Sequence, residues 1–146
     1  MQDAFKLHGA ITAQLFKADG TVHTVHKDNM IVDVGFDFIA NAIGHPSSRP
    51  NIMQGIAVGT SSTAVGATQT ALVSQLAYKA ATYEHASSTK VFKFTTTFVP
   101  GEATGAITEA GVFNANGGIM LDRVVFSVIN KGADDTLKVT FTFTMS

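Results

Sequence analysis

Apolar and polar residues alternate one by one along several segments of the chain. In Phe92–Phe98 the aromatic residues take alternate places, with lysine and threonine between them, and in Leu137–Met145 five apolar residues alternate strictly with lysine and threonine. Successive side chains of a β-strand point to opposite faces, so this period of two predicts antiparallel strands with one buried and one wetted face. We expect Phe94 and Phe141 in the core, and truncation of Phe94 to alanine to cost about 3–5 kcal/mol.

Shorter segments extend the β pattern to both halves of the chain. Leu7–Phe16 and Thr21–Val25 are β-prone and are joined by Lys17–Gly20, whose Asp-Gly pair favours a turn. Gly55–Thr60 has the small and apolar residues of a buried strand, and from Tyr78 onward the pattern is that of a sheet.

The period changes to that of a helix after Asn29. An apolar stripe at helical spacing predicts a helix over about 33–44, with Gly44 in the left-handed position after it and Pro46 unable to continue it. Thr68–Leu76 has weaker helical spacing and predicts one or two further turns. The residues of the predicted core-facing stripe are Val32, Phe36, Ile39, Ala40 and Ile43.

Together these patterns predict a mainly β protein, an antiparallel β-sandwich or jelly-roll-like barrel with one or two short helices. The length of 146 residues suits a single β-rich domain, 1–146, and 45% hydrophobic residues against 14% charged ones are ample for a core. Residues 1–6, at the start of the chain, lie outside the predicted strands, and we expect them to act as a contact arm.

Charge and composition exclude several classes of function. Ten basic residues against eleven acidic ones give no electrostatic surface for nucleic acid or for an anionic membrane, so neither is an expected partner. The chain has no cysteine, which excludes disulfides and thiolate metal sites. We find no signal-peptide pattern and no apolar run of about 20 residues, and expect a soluble protein.

The densest set of charged and turn-forming residues lies in ITEAGVFNANGGIMLDRVVF, from Ile107 to Phe126. Asn116-Gly117 favours a hairpin loop of two residues that both have positive φ. That loop would place Arg123 opposite Ala110, whereas a longer loop over Asn114–Gly118 would place Arg123 opposite Glu109.

Either register predicts structural rather than catalytic charges in this hairpin. Asp122 and Arg123 are adjacent in a strand and point to opposite faces, so Glu109, Asp122 and Arg123 do not converge. A solvent-exposed pair of Glu109 and Arg123 would contribute less than about 1 kcal/mol. We expect substitution of either residue by glutamine to be mild.

The remaining candidates for chemistry are isolated. His23 and His26 are three residues apart in a β-like segment, which sends them to opposite faces and argues against a metal pair. His8, His45 and His85 stand alone, and no nucleophile elbow, dinucleotide fingerprint or phosphate loop occurs. We therefore expect no catalytic, cofactor-binding or metal-binding residues, no cofactor, and no enzyme activity.

Four segments resemble, in order, a family of small structural proteins of tailed bacteriophages. They are NMIVDVGFDFIANAI, IAVGTSSTAVGATQTALVSQL, FTTTFVPGEATGAITEAGVFNANGGIMLDRVVF and INKGADDTLKVTFTFTMS. The family has an early helix, a short glycine-containing strand, a loop rich in threonine and alanine, and "EAGLF"-type, "ML-R-F"-type and "K…DTL-V"-type strands. The resemblance covers about Asn29–Ser146, with Phe141 where tryptophan is common in the family.

This resemblance implies a virion protein without catalytic residues. It implies a capsid decoration, or cement, protein that binds the outer surface of the major capsid protein shell. The alternative is a small tail, baseplate or fibre protein, and the short, self-contained chain favours the cement. We expect self-association as a dimer or trimer, a virion location after synthesis in the bacterial cytoplasm, and contact through Met1–Lys6 and His45–Asn51.

Overall fold

The computed structural model describes residues 6–146, and within them the chain forms ten strands and one helix. The strands build two antiparallel sheets of five strands each around a common core, which confirms the mainly β class and the sandwich. The elements are β1 Leu7–Phe16, β2 Val22–Asp28, β3 Met30–Ile31, α1 Asp33–Gly44, β4 Gly55–Gly59, β5 Gln75–Ala80, β6 Thr82–His85, β7 Val91–Phe98, β8 Gly105–Phe113, β9 Asp122–Lys131 and β10 Thr136–Met145.

Most of the predicted contact arm lies outside the described residues, which begin at Lys6. Lys6 itself pairs with Ser146 through two backbone hydrogen bonds of 2.8 and 2.9 Å and so extends the pairing of β1 with β10.

The first sheet has the strand order β2-β1-β10-β7-β6. Its register is unbroken between β10 and β7, where Phe141 lies opposite Phe94 and both side chains are buried as predicted. Since the alternating threonines and lysines lie on the other face, the period of two accounts for both sides of this sheet. Phe92 stacks on Phe143 at 5.1 Å between ring centroids and extends the aromatic layer.

The second sheet has the order β3-β9-β8-β4-β5 and is covered on both faces. Its inner face packs on the first sheet, whereas a smaller apolar cluster lies on its outer face under the start of α1 and the segment before β5. All five residues of β4 are buried, as predicted for Gly55–Thr60. A strand that is buried on both faces has a continuous run of apolar or small residues instead of an alternating pattern. The residues of the outer cluster are Val32, Ala57, Leu72, Phe113 and Met120.

The helix occurs where it is predicted, but it buries only part of the predicted stripe: Val32 is fully buried and Ile39 packs on the core. Phe36 is 49% exposed and Ile43 is 76% exposed, whereas Gly35 and Phe38 are buried. A Cβ atom at Gly35 would collide with the backbone carbonyl of Leu121, so the absence of a side chain lets this face approach the second sheet closely. Close packing at a glycine therefore overrides the stripe of larger apolar residues.

The end of α1 also differs from the prediction. Gly44 is a helical residue without a positive φ, and His45 caps the helix in an extended conformation with its N–H donated to Asn41. Steric conflict with Pro46 keeps the preceding residue out of the helical region, so proline ends the helix without a left-handed glycine.

The predicted second helix is wrong. The segment Thr60–Ser74 contains no helix or strand, and Gln75 already begins β5. Leu72 is buried, whereas Val73 and Leu76 are exposed. These apolar residues therefore lie in a loop and at the start of a strand and do not form one face of a helix. We call this segment the clasp loop, because the second sheet binds it through side chains described below.

The aromatic layer provides a test of the core. Phe141 is fully buried, and Phe141→Ala should lower the free energy of unfolding by about 3–5 kcal/mol through lost burial and a residual cavity. Thr144→Ala, on the wetted face of the same strand, is the matched control and should change it little. Chemical denaturation measures both; equal midpoints for the two variants would contradict this face assignment.

Candidate functional site

A change of register in the second sheet determines where Glu109 points. Ile107 lies opposite Ile129, but Glu109 lies opposite Val125, so the pairing shifts between these two residues of β8. Ile107 belongs to the inner core, whereas the Glu109 side chain lies on the outer face although only one residue separates them. A β-bulge of this kind re-aims a side chain, and a strict period of two does not anticipate it.

The hairpin loop is the two-residue loop over Asn116 and Gly117, since Phe113 lies opposite Met120 as that loop requires. Asn114 donates its N–H to Ile119, Gly118 donates to Ala115, and of the two central residues only Gly117 has a positive φ. Farther from the loop the pairing shifts by one residue, so Ala110 lies opposite Val124, one position from the short-loop register and two from the long-loop register. The two-residue turn is thus confirmed, and only the expected positive φ at Asn116 is wrong.

Glu109 and Arg123 nevertheless form an ion pair, diagonally across β8 and β9. Arg123 Nε donates to Glu109 Oε1 at 3.0 Å, and Nη2 lies 3.0 Å from the same oxygen at a less favourable angle. Both side chains are fully buried. The expectation of a solvent-exposed pair is therefore wrong, because the clasp loop covers the outer face of the sheet at this point.

Glu109 holds the two ends of the clasp loop together. Its carboxylate accepts backbone N–H groups from Val73 at 2.9 Å, Ser74 at 2.8 Å and Ser61 at 3.1 Å. Gly59 makes room for it, since a Cβ atom there would lie 2.6 Å from Oε2. One buried carboxylate thus satisfies three donors from a segment that has no regular hydrogen-bond pattern of its own.

Arg123 holds the middle of the same loop. Its Nη1 donates to the carbonyl of Thr63 at 2.9 Å and to Gln69 Oε1 at 3.2 Å. Gln69 in turn accepts from Gly66 N–H and donates to the Ala64 carbonyl. Both charges therefore form hydrogen bonds that order the loop. Its geometry is that of a structural clasp.

Asp122 lies on the inner face of β9, opposite in direction to Arg123 as predicted, and is fully buried. Its Oδ1 accepts the N–H of Val112 at 3.0 Å, and its Oδ2 contacts the side-chain amide of Asn29. Asn29 lies where the chain passes from β2 of the first sheet to β3 of the second. The contact therefore joins the two sheets at their crossover.

Burial raises the pKa of the Asp122 carboxyl from 3.8 to about 8, and the hydrogen bond from Val112 opposes this only in part. A protonated carboxyl has an O–H group to donate, and the buried Asn29 Oδ1 accepts no hydrogen bond from the protein. The neutral acid can supply that donor when the Asn29 amide presents its oxygen. The contact is thus a buried polar pair that favours a protonated acid at neutral pH.

The histidines do not come together. The unbroken pairing of β2 with β1 places His23 and His26 on opposite faces, and His26 Nδ1 lies 3.0 Å from the Thr12 hydroxyl. His8 lies 3.3 Å from Asp28, and His45 accepts N–H groups at the end of α1. In the described part of the chain, no three histidine, aspartate or glutamate side chains are grouped to hold a metal ion.

A second charged cluster lies at the other end of the sandwich. Lys79 Nζ is 2.6 Å from Glu102 Oε1 and also donates to the Thr97 carbonyl, and this lysine lowers the pKa of the Glu102 carboxyl. The neighbouring Lys131 is buried, which lowers its pKa, and its Nζ lies 3.3 Å from the Val99 carbonyl. These contacts tie a turn to the strands beside it.

An apolar groove lies between α1 and the first sheet. It has a volume of about 420 Å³ and is lined by ten residues, all apolar except for the Tyr83 phenol. Ile43 and Ile52 stand at 76% and 74% exposure beside it. A surface of this character binds another apolar surface but has no groups for acid–base chemistry. Six of the lining residues are Leu7, Ile39, Ala42, Ile52, Tyr83 and Phe92.

Comparisons with protein-family models, with curated proteins and with solved structures find no significant match to this chain. Within residues 6–146, no helix combines the length and the apolar character that crossing a bilayer requires.

The clasp provides the first test of this region. Glu109→Gln leaves the Arg123 charge buried without its counter-charge, and should lower the free energy of unfolding by about 3–5 kcal/mol. The amide protons of Ser61, Val73 and Ser74 should exchange faster with solvent, because their shared acceptor is weakened.

The matched control for the clasp is Glu102→Gln, which removes the partly exposed ion pair with Lys79. It should cause a much smaller loss of stability and leave the three amide exchange rates unchanged. Equal losses in the two variants, measured by chemical denaturation, would show that the buried pair contributes no more than an exposed one.

Asp122 makes stability depend on pH. Its pKa is raised on folding, so the folded state holds the proton more tightly, and this contribution is complete below about pH 4 and is lost as the pH rises towards about 8. The loss is at most about 1.4 kcal/mol per pH unit. Asp122→Asn mimics the neutral acid, and its stability relative to wild type should rise with pH over this interval.

Denaturation curves at several pH values measure this difference. Asp134→Asn, at an exposed carboxyl, is the control and should follow wild type throughout. If the difference between Asp122→Asn and wild type stays constant from pH 4 to 8, Asp122 does not titrate with a raised pKa.

Proposed function

We propose that this protein is a structural component of a bacteriophage virion, a decoration protein that binds the outer surface of the major capsid protein shell. The resemblance of four ordered segments to small phage structural proteins motivates this role. The sandwich is compatible with it, because a rigid β domain can act as a repeated building block.

The exposed apolar surface beside α1 is the observation that supports an assembling role most directly. Ile43 and Ile52 are about three-quarters exposed next to an apolar groove, although the sandwich has a complete core elsewhere. Exposed apolar patches on small domains mark surfaces for other proteins.

The structural roles of the buried charges also support this proposal. Glu109 and Arg123 are used to fix the clasp loop, and Asp122 is used to join the sheets, so the strongest electrostatic groups stabilise one rigid shape. A protein that acts by being placed many times on a lattice needs a constant shape more than it needs reactive groups. The two sheets and the fixed loop provide such a shape.

A cement acts by mass action. A copy that binds only the assembled shell stabilises it by about 2.7 kcal/mol per site when its free concentration is a hundred times the dissociation constant. The temperature at which capsids open should therefore rise with added protein and level off at saturation. Capsids prepared without this protein, heated with increasing amounts of it and followed by light scattering, measure the effect.

Electron cryomicroscopy of the same particles with and without the protein locates the added density. Density on the outer shell, together with the thermal shift, is the expected result. If the protein copurifies only with tails and capsids neither bind it nor gain stability, it is a tail, baseplate or fibre component instead.

A further inference from the structure

The helix α1 has three distinct faces. Gly35 and Phe38 are buried against the sandwich, and the polar residues Asp33, Asp37 and Asn41 line a second side. The third side consists of three exposed apolar residues, Phe36, Ala40 and Ile43, which we call the outer stripe.

The outer stripe has the spacing of a packed helix face. Its residues occur at i, i+4 and i+7, and two of them are large and 49% and 76% exposed. The groove continues the apolar surface on the side of Ile39 and Ala42, and the exposed Ile52 borders it. A helix that is apolar on two of its three sides is typical of one that is covered on both of them.

The composition of this surface suits contact with an identical copy. From Phe38 to Ser48 the chain contains no aspartate, glutamate, lysine or arginine. Across a two-fold axis the same surface patch meets itself, so charges near the axis face like charges. No residue of the stripe or of the groove lining is charged, and Asp33 and Asp37 flank the stripe on the polar side of the helix. This arrangement matches the uncharged core and polar rim of a protein interface.

The shape of the stripe is also self-complementary. A small residue, Ala40, lies between two large ones, Phe36 and Ile43. If two such helices cross in opposite directions at Ala40, the small residues allow close approach, and each Phe36 lies beside Ile43 of the other helix.

We propose that the outer stripe of α1 and the groove beside it form the two-fold interface of a homodimer, with the two helices crossing at Ala40. This names the self-association surface of the decoration protein proposed above, but it depends only on the chain itself.

The absence of cysteine from the sequence makes a direct test available. Ala40→Cys places one thiol next to the two-fold axis, and a short bis-maleimide should link two copies into a covalent dimer in high yield. Ser127→Cys places a thiol on an exposed position of β9, away from the helix. Under the same conditions this variant should not be cross-linked and should remain a single chain.

A second variant tests the energetics. Wild-type protein should sediment with twice the 15.3 kDa mass of the single chain, and Ile43→Glu should weaken the dimer by about tenfold or more, because it buries two like charges. Val128→Glu changes a valine that is 46% exposed on β9 and should leave the dimer intact. Circular dichroism should show that both variants remain folded.

Two results would overturn the inference. One is a wild-type protein that stays at 15.3 kDa through the whole concentration series. The other is a dimer that Ile43→Glu leaves unchanged or that Ala40→Cys fails to cross-link. Capsid binding is measured separately, so a dimer that does not bind capsids refutes only the proposed function, and a monomer that binds them refutes only the interface.

Discussion

The buried ion pair of Glu109 and Arg123 is the constraint on which the order of one side of the sandwich depends. Two charges removed from water must be paired and have their remaining hydrogen-bonding groups satisfied, and here the partners come from the clasp loop. The loop covers the charges, and the charges supply the acceptors and donors that a loop without helix or strand lacks. Each part satisfies the buried polar groups of the other, so we regard them as one cooperative unit.

Much of the architecture could be predicted from alternation alone. The strands around Phe94 and Phe141 have one wetted face, and the resulting period of two places them correctly in a sandwich. The site could not be predicted in this way, because the register shift between Ile107 and Glu109 reverses the direction of a side chain. A bulge has no reliable signature in a single sequence, and the cover over Arg123 comes from residues about 50 to 60 positions earlier.

The helix shows a different limit of pattern analysis. Its bounds follow from apolar spacing and from Pro46, but the face that is buried depends on Gly35, where the lack of a side chain permits contact with Leu121. Hydrophobic periodicity identifies apolar faces without saying which partner covers each of them. Three of the five residues of the predicted stripe, Phe36, Ala40 and Ile43, lie at the surface. These exposed residues form the interface proposed above.

The central position of β10 in the first sheet has a consequence for biosynthesis. This strand, Thr136–Met145, lies between β1 and β7, so each of these neighbours has one unpaired edge until β10 has been synthesised. Pairing between distant parts of a chain is slow, and unpaired strand edges are prone to aggregation in the meantime. We therefore expect the sheet to close only once β10 has been synthesised, so that a chain interrupted before β10 exposes two open edges and is a substrate for proteolysis.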